Sequence, residues 1–118
     1  RVAEYNASFA LPEGKLGYIP SAGGTQTLPR HINATDSNLI IASGNPINAE
    51  KAYRIGLVQY LTDRSRYLQL AIDWALEISH MNPNVVRAVK RAVRSSEMEI
   101  SEGLVYEARV RLSNMLSK

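Results

Sequence analysis

The stretch from Phe9 to Arg30 constrains the fold of this chain more than any other, because three prolines interrupt it. It reads FALPEGKLGYIPSAGGTQTLPR, with proline at positions 12, 20 and 29 and glycine at positions 14, 17, 23 and 24. Proline does not fit a central strand or a helix interior. We therefore expect brief extended or turn segments, followed by a short helix over Ala22–Leu28 that Ser21 caps.

Strand-like patterns flank this stretch but are few. Residues 1–10 alternate between apolar and polar types, which predicts a short strand that is strongest around Tyr5–Phe9. Leu57–Leu61 is a run of mostly apolar residues that predicts a second short strand or an extended connector. Two such segments are too few to form a full sheet.

The rest of the chain has the periodicity of amphipathic helices. Helices are predicted over Ala34–Ser43, over Ala49–Ile55 after the cap Asn48, over Arg64–Met81, from Pro83, and from Glu102 after the cap Ser101. The buried side of the last helix is predicted to include Leu104, Ala108, Leu112, Met115 and Leu116. Because the strands are so few, we expect the apolar faces to be buried against another part of a longer protein or against other subunits.

Composition places the chain among folded globular proteins and limits its chemistry. Its 118 residues suffice for one domain, with 45 % hydrophobic and 21 % charged residues. The absence of cysteine excludes a disulfide framework and a cysteine-ligated metal site, and it fits a reducing compartment. No apolar run approaches the roughly 18 residues of a membrane span, and the first residues lack a signal-peptide pattern. Since the sequence begins at Arg1 without methionine, we expect it to be a piece of a longer protein.

Two motifs at matched spacing carry a family resemblance. The run F-A-L-P-E-x-x-L-G-x-I-P-S-A-G-G-T-Q-T-L at 9–28 resembles the second signature of the crotonase family, the enoyl-CoA hydratases and isomerases. The run S-G-N-P-I-N-A-E-K-A-Y-R-I-G-L-V at 43–58 resembles the T-G-x-x-I-x-A-x-x-A-x-x-x-G-L-V segment of that family. The resemblance continues to Lys118 without an obvious insertion, so it covers essentially the whole chain.

The resemblance implies an α/β fold that is mostly helical in this chain. Residues 1–45 would be the end of a spiral of ββα units, and residues 46–118 an incomplete helical region that builds homo-trimers or hexamers. The first half of the family fold would be missing from this chain. That half supplies the two peptide N–H groups that hold the thioester oxygen and one of two hydratase glutamates. The final family helix also lies outside the match.

The activity that the resemblance implies is reversible hydration of 2-enoyl-CoA thioesters through an enolate, with CoA as part of the substrate and no cofactor. Double-bond isomerisation and a non-catalytic assembly subunit are the alternatives. The chain alone is expected to be inactive. We expect an acyl-CoA thioester and the missing N-terminal half as partners, no nucleic acid, and the cytoplasm or the mitochondrial matrix as the compartment.

Glu13 is the candidate catalytic residue. By resemblance it matches the family glutamate that acts as general acid/base near the α and β carbons of the acyl group. The nearby apolar side chains of Phe9, Leu11, Leu16 and Ile19 are expected to desolvate its carboxyl group, which suits proton transfer near neutral pH. The alternative is a solvated glutamate in a turn.

The remaining candidate residues are proposed to bind substrate. Pro12 and Leu16 are expected to shape the acyl pocket, although core packing explains Leu16 equally well. Ser21, Ala22 and Gly23 are expected to open a helix, where the family contacts the reacting water through backbone N–H groups; tight helix packing is the alternative. Gly14 stands where the family usually has a larger residue, so we expect a looser loop.

His31 and His80 are far apart in the sequence and lack ligand-type neighbours, so neither is expected to bind metal. The basic residues Arg87, Lys90, Arg91 and Arg94 form one predicted helix face. That face fits phosphate binding, of RNA or of CoA, or simple solvation. No aromatic residues interleave with these charges to stack on bases, which favours solvation.

Overall fold

The computed structural model of the chain describes residues 1–116, with only the backbone at Asn114 and Met115. The predicted burial of Met115 and the last two residues of the predicted region 46–118 lie outside this description. The strands are β1 Val2–Glu4, β2 Ser8–Phe9, β3 Ile47–Asn48 and β4 Tyr60–Thr62. The helices are α1 Gly24–Thr27, α2 Ala34–Ser43, α3 Ala49–Arg54, α4 Tyr67–Ser79, α5 Pro83–Arg94 and α6 Ile100–Leu116, with short 3-10 helices at Pro12–Leu16, Leu28–Arg30 and Ser95–Glu97. An α/β chain that is mostly helical is therefore confirmed.

The predicted strand at the start of the chain is divided in two. Strand β1 pairs in parallel with β4, whereas β2 pairs antiparallel with β3. Tyr5 and Asn6, where the strand prediction was strongest, form a turn that the Ala7 N–H closes on the Glu4 carbonyl oxygen at 3.1 Å. The prediction was wrong there because the two halves belong to different two-stranded sheets, which alternation within a single strand cannot reveal.

Residues 1–72 form one compact unit, and residues from Asp73 onward form another. The core of the first unit contains Ala3, Ala52 and Val58, and half-buried apolar side chains surround it: Ala7, Phe9, Ile47, Leu57 and Leu61. This core ties β1 and β4 to α3. The predicted boundary at residue 45, between the end of the spiral and the trimerisation region, concerns the whole family fold and stays a prediction.

Helices α2 and α3 begin at asparagine caps. The Asn33 Oδ1 atom accepts a hydrogen bond from the Asp36 N–H at 2.8 Å, and the Asn48 Oδ1 atom accepts one from the Lys51 N–H at 2.9 Å. Gly44 follows α2 in the left-handed conformation, with φ of 60°. Helix α2 therefore has its predicted bounds, and α3, after its predicted cap Asn48, ends one residue earlier than predicted.

The last helix begins earlier than predicted. Helix α6 starts at Ile100, and the Gly103 N–H donates to the Glu99 carbonyl oxygen at 2.9 Å. Ser101 thus lies inside the first turn and does not cap the helix. Hydrogen bonding from Glu99 onward extends the helix by two residues beyond the predicted start.

A salt bridge between Asp36 and Lys51 links α2 to α3 across 2.7 Å. The hydrogen bonds from Lys51 and Asn33 hold the pKa of Asp36 below its ordinary value of 3.8. A carboxyl group whose pKa is lower in the folded state stabilises the fold above that ordinary value, and this stabilisation disappears as the pH falls through the lowered pKa.

We therefore predict that Asp36→Asn lowers the Tm of the protein at neutral pH. The difference from the unsubstituted protein should shrink as the pH falls from 3.8 through the lowered pKa of the folded state, because below that pKa both proteins have a neutral side chain at position 36. Thermal unfolding followed by circular dichroism over this pH range measures it. Glu50→Gln, an exposed change in the first turn of α3, is the control; a Tm difference independent of pH would contradict the prediction.

Helices of the second unit carry apolar residues that this chain leaves uncovered. On α5, Val85, Val89 and Val93 are 44 %, 54 % and 65 % exposed. They recur every four residues, so they form one stripe, which we call the α5 valine stripe. Their burial against other protein surfaces stays a prediction. Within residues 1–116, no helix is both long and apolar enough to cross a membrane.

Candidate active site

A 3-10 helix over Pro12–Leu16 holds Glu13 at a fixed place in the first unit. Pro12 occupies its first position, and Leu11 before it has the extended backbone that a following proline favours. The turn closes where the Tyr18 N–H donates to the Glu13 carbonyl oxygen at 3.1 Å. The proline-rich sequence therefore produces a short, hydrogen-bonded turn, one of the two predicted alternatives.

One carboxyl oxygen of Glu13 is shielded from solvent, although the residue as a whole is only half-buried. Its Oε2 atom is buried and has no hydrogen-bond partner among the described residues. Leaving a buried acceptor unpaired costs about 1–3 kcal/mol, so such groups are rare and call for an explanation. The burial of this oxygen does not fit the alternative, a freely solvated glutamate in a turn. Leu16 and Ile19, two of the side chains expected to shield it, are themselves 66 % and 76 % exposed.

Close packing against α2 fixes the turn from the other side. A Cβ atom at Gly14 would lie 2.7 Å from the Ile41 carbonyl oxygen and 2.9 Å from that of Ala42. Real Cβ atoms do not come this close to a backbone oxygen, so only glycine fits without a shift. The expectation that Gly14 loosens the loop was wrong, because its missing side chain is what lets the turn lie directly on the end of α2.

Gly44, directly after α2, also lies close to the 3-10 helix that carries Gly14. Its Cβ would lie 2.9 Å from the Lys15 Cγ atom and 3.2 Å from the Pro12 carbonyl oxygen, and its φ is positive. We call Gly14 and Gly44 together the glycine contact. It joins the two motifs, since Gly14 follows the catalytic candidate in the first and Gly44 is the first glycine of the second.

The turn after Pro20 differs from the prediction. Helix α1 begins at Gly24, and its cap is Gly23 with φ of 93°, whose carbonyl oxygen accepts the Thr27 N–H at 2.8 Å. Ser21 makes no capping hydrogen bond at this helix, so its predicted role as cap was wrong. The reason is that Gly23 adopts a left-handed conformation that other residues avoid, and this adds one more turn before the helix begins.

Ser21 and Ala22 are exposed in this turn, and Gly23 is half-buried. For Gly24, tight packing explains the glycine: a Cβ there would lie 3.0 Å from the Pro20 Cβ atom and 3.2 Å from the Leu11 Cδ1 atom. Leu11 therefore links the start of the Glu13 helix to the start of α1. The candidate residues lie in these two linked segments of one unit.

Sequence reasoning missed an apolar cavity of about 460 Å³ in the same unit. Phe9, Leu11, Ile40 and Ile47 are among its lining residues, with His31 also present, whereas Pro12 and Leu16 are not. Both Pro12 and Leu16 are exposed, and their role in shaping an acyl pocket stays a prediction. The apolar residues in both motifs were the sequence feature from which this cavity could have been predicted.

A partly shielded carboxyl group on a rigid turn is suited to proton transfer. The missing partner leaves the Oε2 atom able to accept a hydrogen bond from a bound molecule. Among residues 1–116, no three histidine, aspartate or glutamate side chains are grouped so that they could hold a metal ion. Glu13 stays the candidate catalytic residue of this segment.

The chain is similar in sequence and structure to several known proteins. The chain is 36 % identical over 106 residues to carnitinyl-CoA dehydratase of Salmonella typhi, a match that covers 89 % of this chain and 41 % of that protein. The solved enoyl-CoA hydratase of Bacillus anthracis superimposes with a TM-score of 0.94 at 32 % identity, over 100 % of this chain and 46 % of that one. Pseudomonas aeruginosa DspI gives a TM-score of 0.89 at 30 % identity, over 100 % and 45 %.

The chain thus spans less than half the length of these relatives. The family model for enoyl-CoA hydratase/isomerase matches residues 1–116. Together with the superpositions, this match confirms the crotonase-like fold expected from the two motifs. This chain belongs to the enoyl-CoA hydratase/isomerase family, within the crotonase superfamily.

Proposed function

We propose that this chain is the proton-transfer part of an enzyme that hydrates 2-enoyl-CoA thioesters reversibly. The observation that carries the proposal is the buried Oε2 atom of Glu13, which lacks a hydrogen-bond partner within the described residues. The printed names of the relatives, a hydratase and a dehydratase of CoA thioesters, support the reaction class. We call the longer polypeptide that would carry this chain the complete protein.

In the forward direction, the oxygen of water bonds to the β carbon, and the electrons of the double bond move onto the thioester as an enolate. Glu13 then gives its proton to the α carbon, while a second base accepts the proton that water loses. In the reverse direction Glu13 removes the α proton. Removing a proton next to a carbonyl group requires an acceptor of suitable basicity held within hydrogen-bond reach.

The other parts of the proposed site come partly from this chain and partly from the rest of the complete protein. We propose that the backbone of Ser21–Gly23 contacts the reacting water and that Pro12 and Leu16 border the acyl group once the rest of the protein covers them. The hydrogen-bond donors that stabilise the enolate, and the second glutamate, are proposed to lie outside this chain. Such preorganised donors are usually the largest single contribution to the rate. No further cofactor is needed for this chemistry.

Hydration of crotonyl-CoA, followed through the loss of absorbance of its conjugated double bond, tests the proposal. The complete protein should hydrate it, and the 118-residue chain alone should not. Conversion of a 3-enoyl-CoA to the 2-enoyl isomer without hydration would assign double-bond isomerisation instead. If the complete protein neither binds nor converts acyl-CoA, it is a non-catalytic assembly subunit.

We also propose that the helical region builds trimers or hexamers, and the α5 valine stripe supports this. Complete burial of a valine side chain contributes roughly 1.5–3 kcal/mol, so a repeated exposed stripe is a strong candidate for an interface. We predict that Val89→Asp in the complete protein shifts the population toward monomers in sedimentation velocity. The neighbouring exposed change Lys90→Asp is the control; an unchanged distribution for Val89→Asp would exclude the stripe from the interface.

A further inference from the structure

Helices α5 and α6 contact each other within the second unit and enclose a groove of about 320 Å³. The lining residues are spaced three or four positions apart on both helices, so one face of each helix forms the groove. They are Asn84, Arg87, Ala88 and Arg91 of α5 and Tyr106, Arg109, Val110 and Ser113 of α6. Ala88, Tyr106 and Val110 are half-buried, whereas the arginines are exposed.

Three arginines thus border one concave surface that contains no acidic residue. Within the described part of the chain, Arg87, Arg91 and Arg109 have no carboxylate partner; Arg87 donates through Nη2 to the Asn84 Oδ1 atom at 2.7 Å. Like charges held around one cavity repel each other, and a bound anion removes that repulsion. Guanidinium groups also match phosphate oxygens with paired hydrogen bonds.

The structure divides the basic face that the sequence predicted on α5. Arg87 and Arg91 line the groove together with Arg109 of α6, whereas Lys90 and Arg94 do not. The charges are therefore concentrated at one place and do not form a stripe along the helix. A stripe would follow a nucleic-acid backbone, but a concentrated set fits a compact anion.

We propose that this groove, the α5–α6 arginine groove, binds a diphosphate group. At about 30 Å³ per water molecule, its volume holds about ten waters, enough for a diphosphate with part of its hydration shell. Arg87, Arg91 and Arg109 would supply the charge, and the half-buried Tyr106 borders the same space. Free diphosphate and the diphosphate of a nucleotide share this chemistry. The proposal does not depend on the reaction assigned to Glu13.

Isothermal titration calorimetry of the complete protein with inorganic diphosphate tests the proposal, and ADP as a second probe separates the two sources. The double variant Arg91→Ala and Arg109→Ala should weaken binding at least about tenfold. The control is Lys90→Ala with Arg111→Ala, which removes the same charge from the same two helices outside the groove. Its Kd should stay within about twofold of the unsubstituted protein at moderate salt.

A second variant covers the case in which the alanine substitutions disturb folding. Arg91→Lys with Arg109→Lys keeps the charge but loses the paired hydrogen-bond geometry, so it should bind measurably less tightly than the unsubstituted protein. Absence of diphosphate binding, or equal weakening by the groove variant and its control, would overturn the proposal. Tighter binding of a short single-stranded RNA that is sensitive to both double variants would also overturn it, in favour of a nucleic-acid surface.

Discussion

Glu13→Gln in the complete protein should lower kcat for hydration of 2-enoyl-CoA by about 10²–10⁴-fold, the usual contribution of general acid–base catalysis. Glutamine has nearly the same shape as glutamate but cannot exchange a proton. Because the carboxyl group is part of a short turn whose hydrogen bonds are made by the backbone, the substitution should leave the fold intact. Steady-state kinetics with crotonyl-CoA measure the effect.

The matched control is Glu50→Gln, an exposed residue of the same unit, and it should retain full activity. The two variants should bind a saturated acyl-CoA, which cannot be hydrated, equally well. A Glu13→Gln enzyme with unchanged kcat would exclude Glu13 as the proton-transfer group. A loss of binding with unchanged kcat would instead assign it a role in holding substrate.

The second large effect is expected at the glycine contact. Replacing a glycine by alanine at an unstrained position usually stabilises a protein by about 0.4–1 kcal/mol, because the unfolded chain loses freedom. At Gly14 the sign should be reversed, since the new Cβ would lie 2.7 Å from the Ile41 carbonyl oxygen. We expect Gly14→Ala to lower the free energy of unfolding by about 1–3 kcal/mol, as overpacking generally does.

Gly14→Ala should also lower kcat, because the turn that carries Glu13 must move away from α2. A displacement of about 1 Å of a catalytic group is enough for a loss on the order of 100-fold. Chemical denaturation and steady-state kinetics measure the two effects. Tyr18→Ala, at an exposed position of the same segment, is the control. A Gly14→Ala protein as stable and active as the unsubstituted one would show that the contact does not position Glu13.

The sequence determined those features that depend on neighbouring residues. The caps Asn33 and Asn48 and the glycine after α2 are local signals, and the helices they delimit lie close to their predicted bounds. Glu13 could be singled out for a related reason: its motif is continuous in the sequence. The family assignment followed from two such motifs.

Features that depend on distant contacts were not predictable. Alternation around Tyr5 indicated one strand, but the pairing of its two halves with different partners introduced a turn. The role of Gly14 depends on the carbonyl oxygens of α2, which lie almost thirty residues away in the sequence. Likewise, the basic residues of α5 gave no sign that Arg109 completes a groove with two of them.

The central claim is that Glu13 exchanges a proton with the α carbon of an acyl-CoA thioester. Incubating the complete protein with a saturated acyl-CoA in deuterium oxide isolates this step from the addition of water. Mass spectrometry then counts the deuterium atoms at the α carbon. The unsubstituted protein should incorporate deuterium well above the uncatalysed rate, and Glu13→Gln should not. Incorporation by Glu13→Gln at the rate of the unsubstituted protein would contradict the claim.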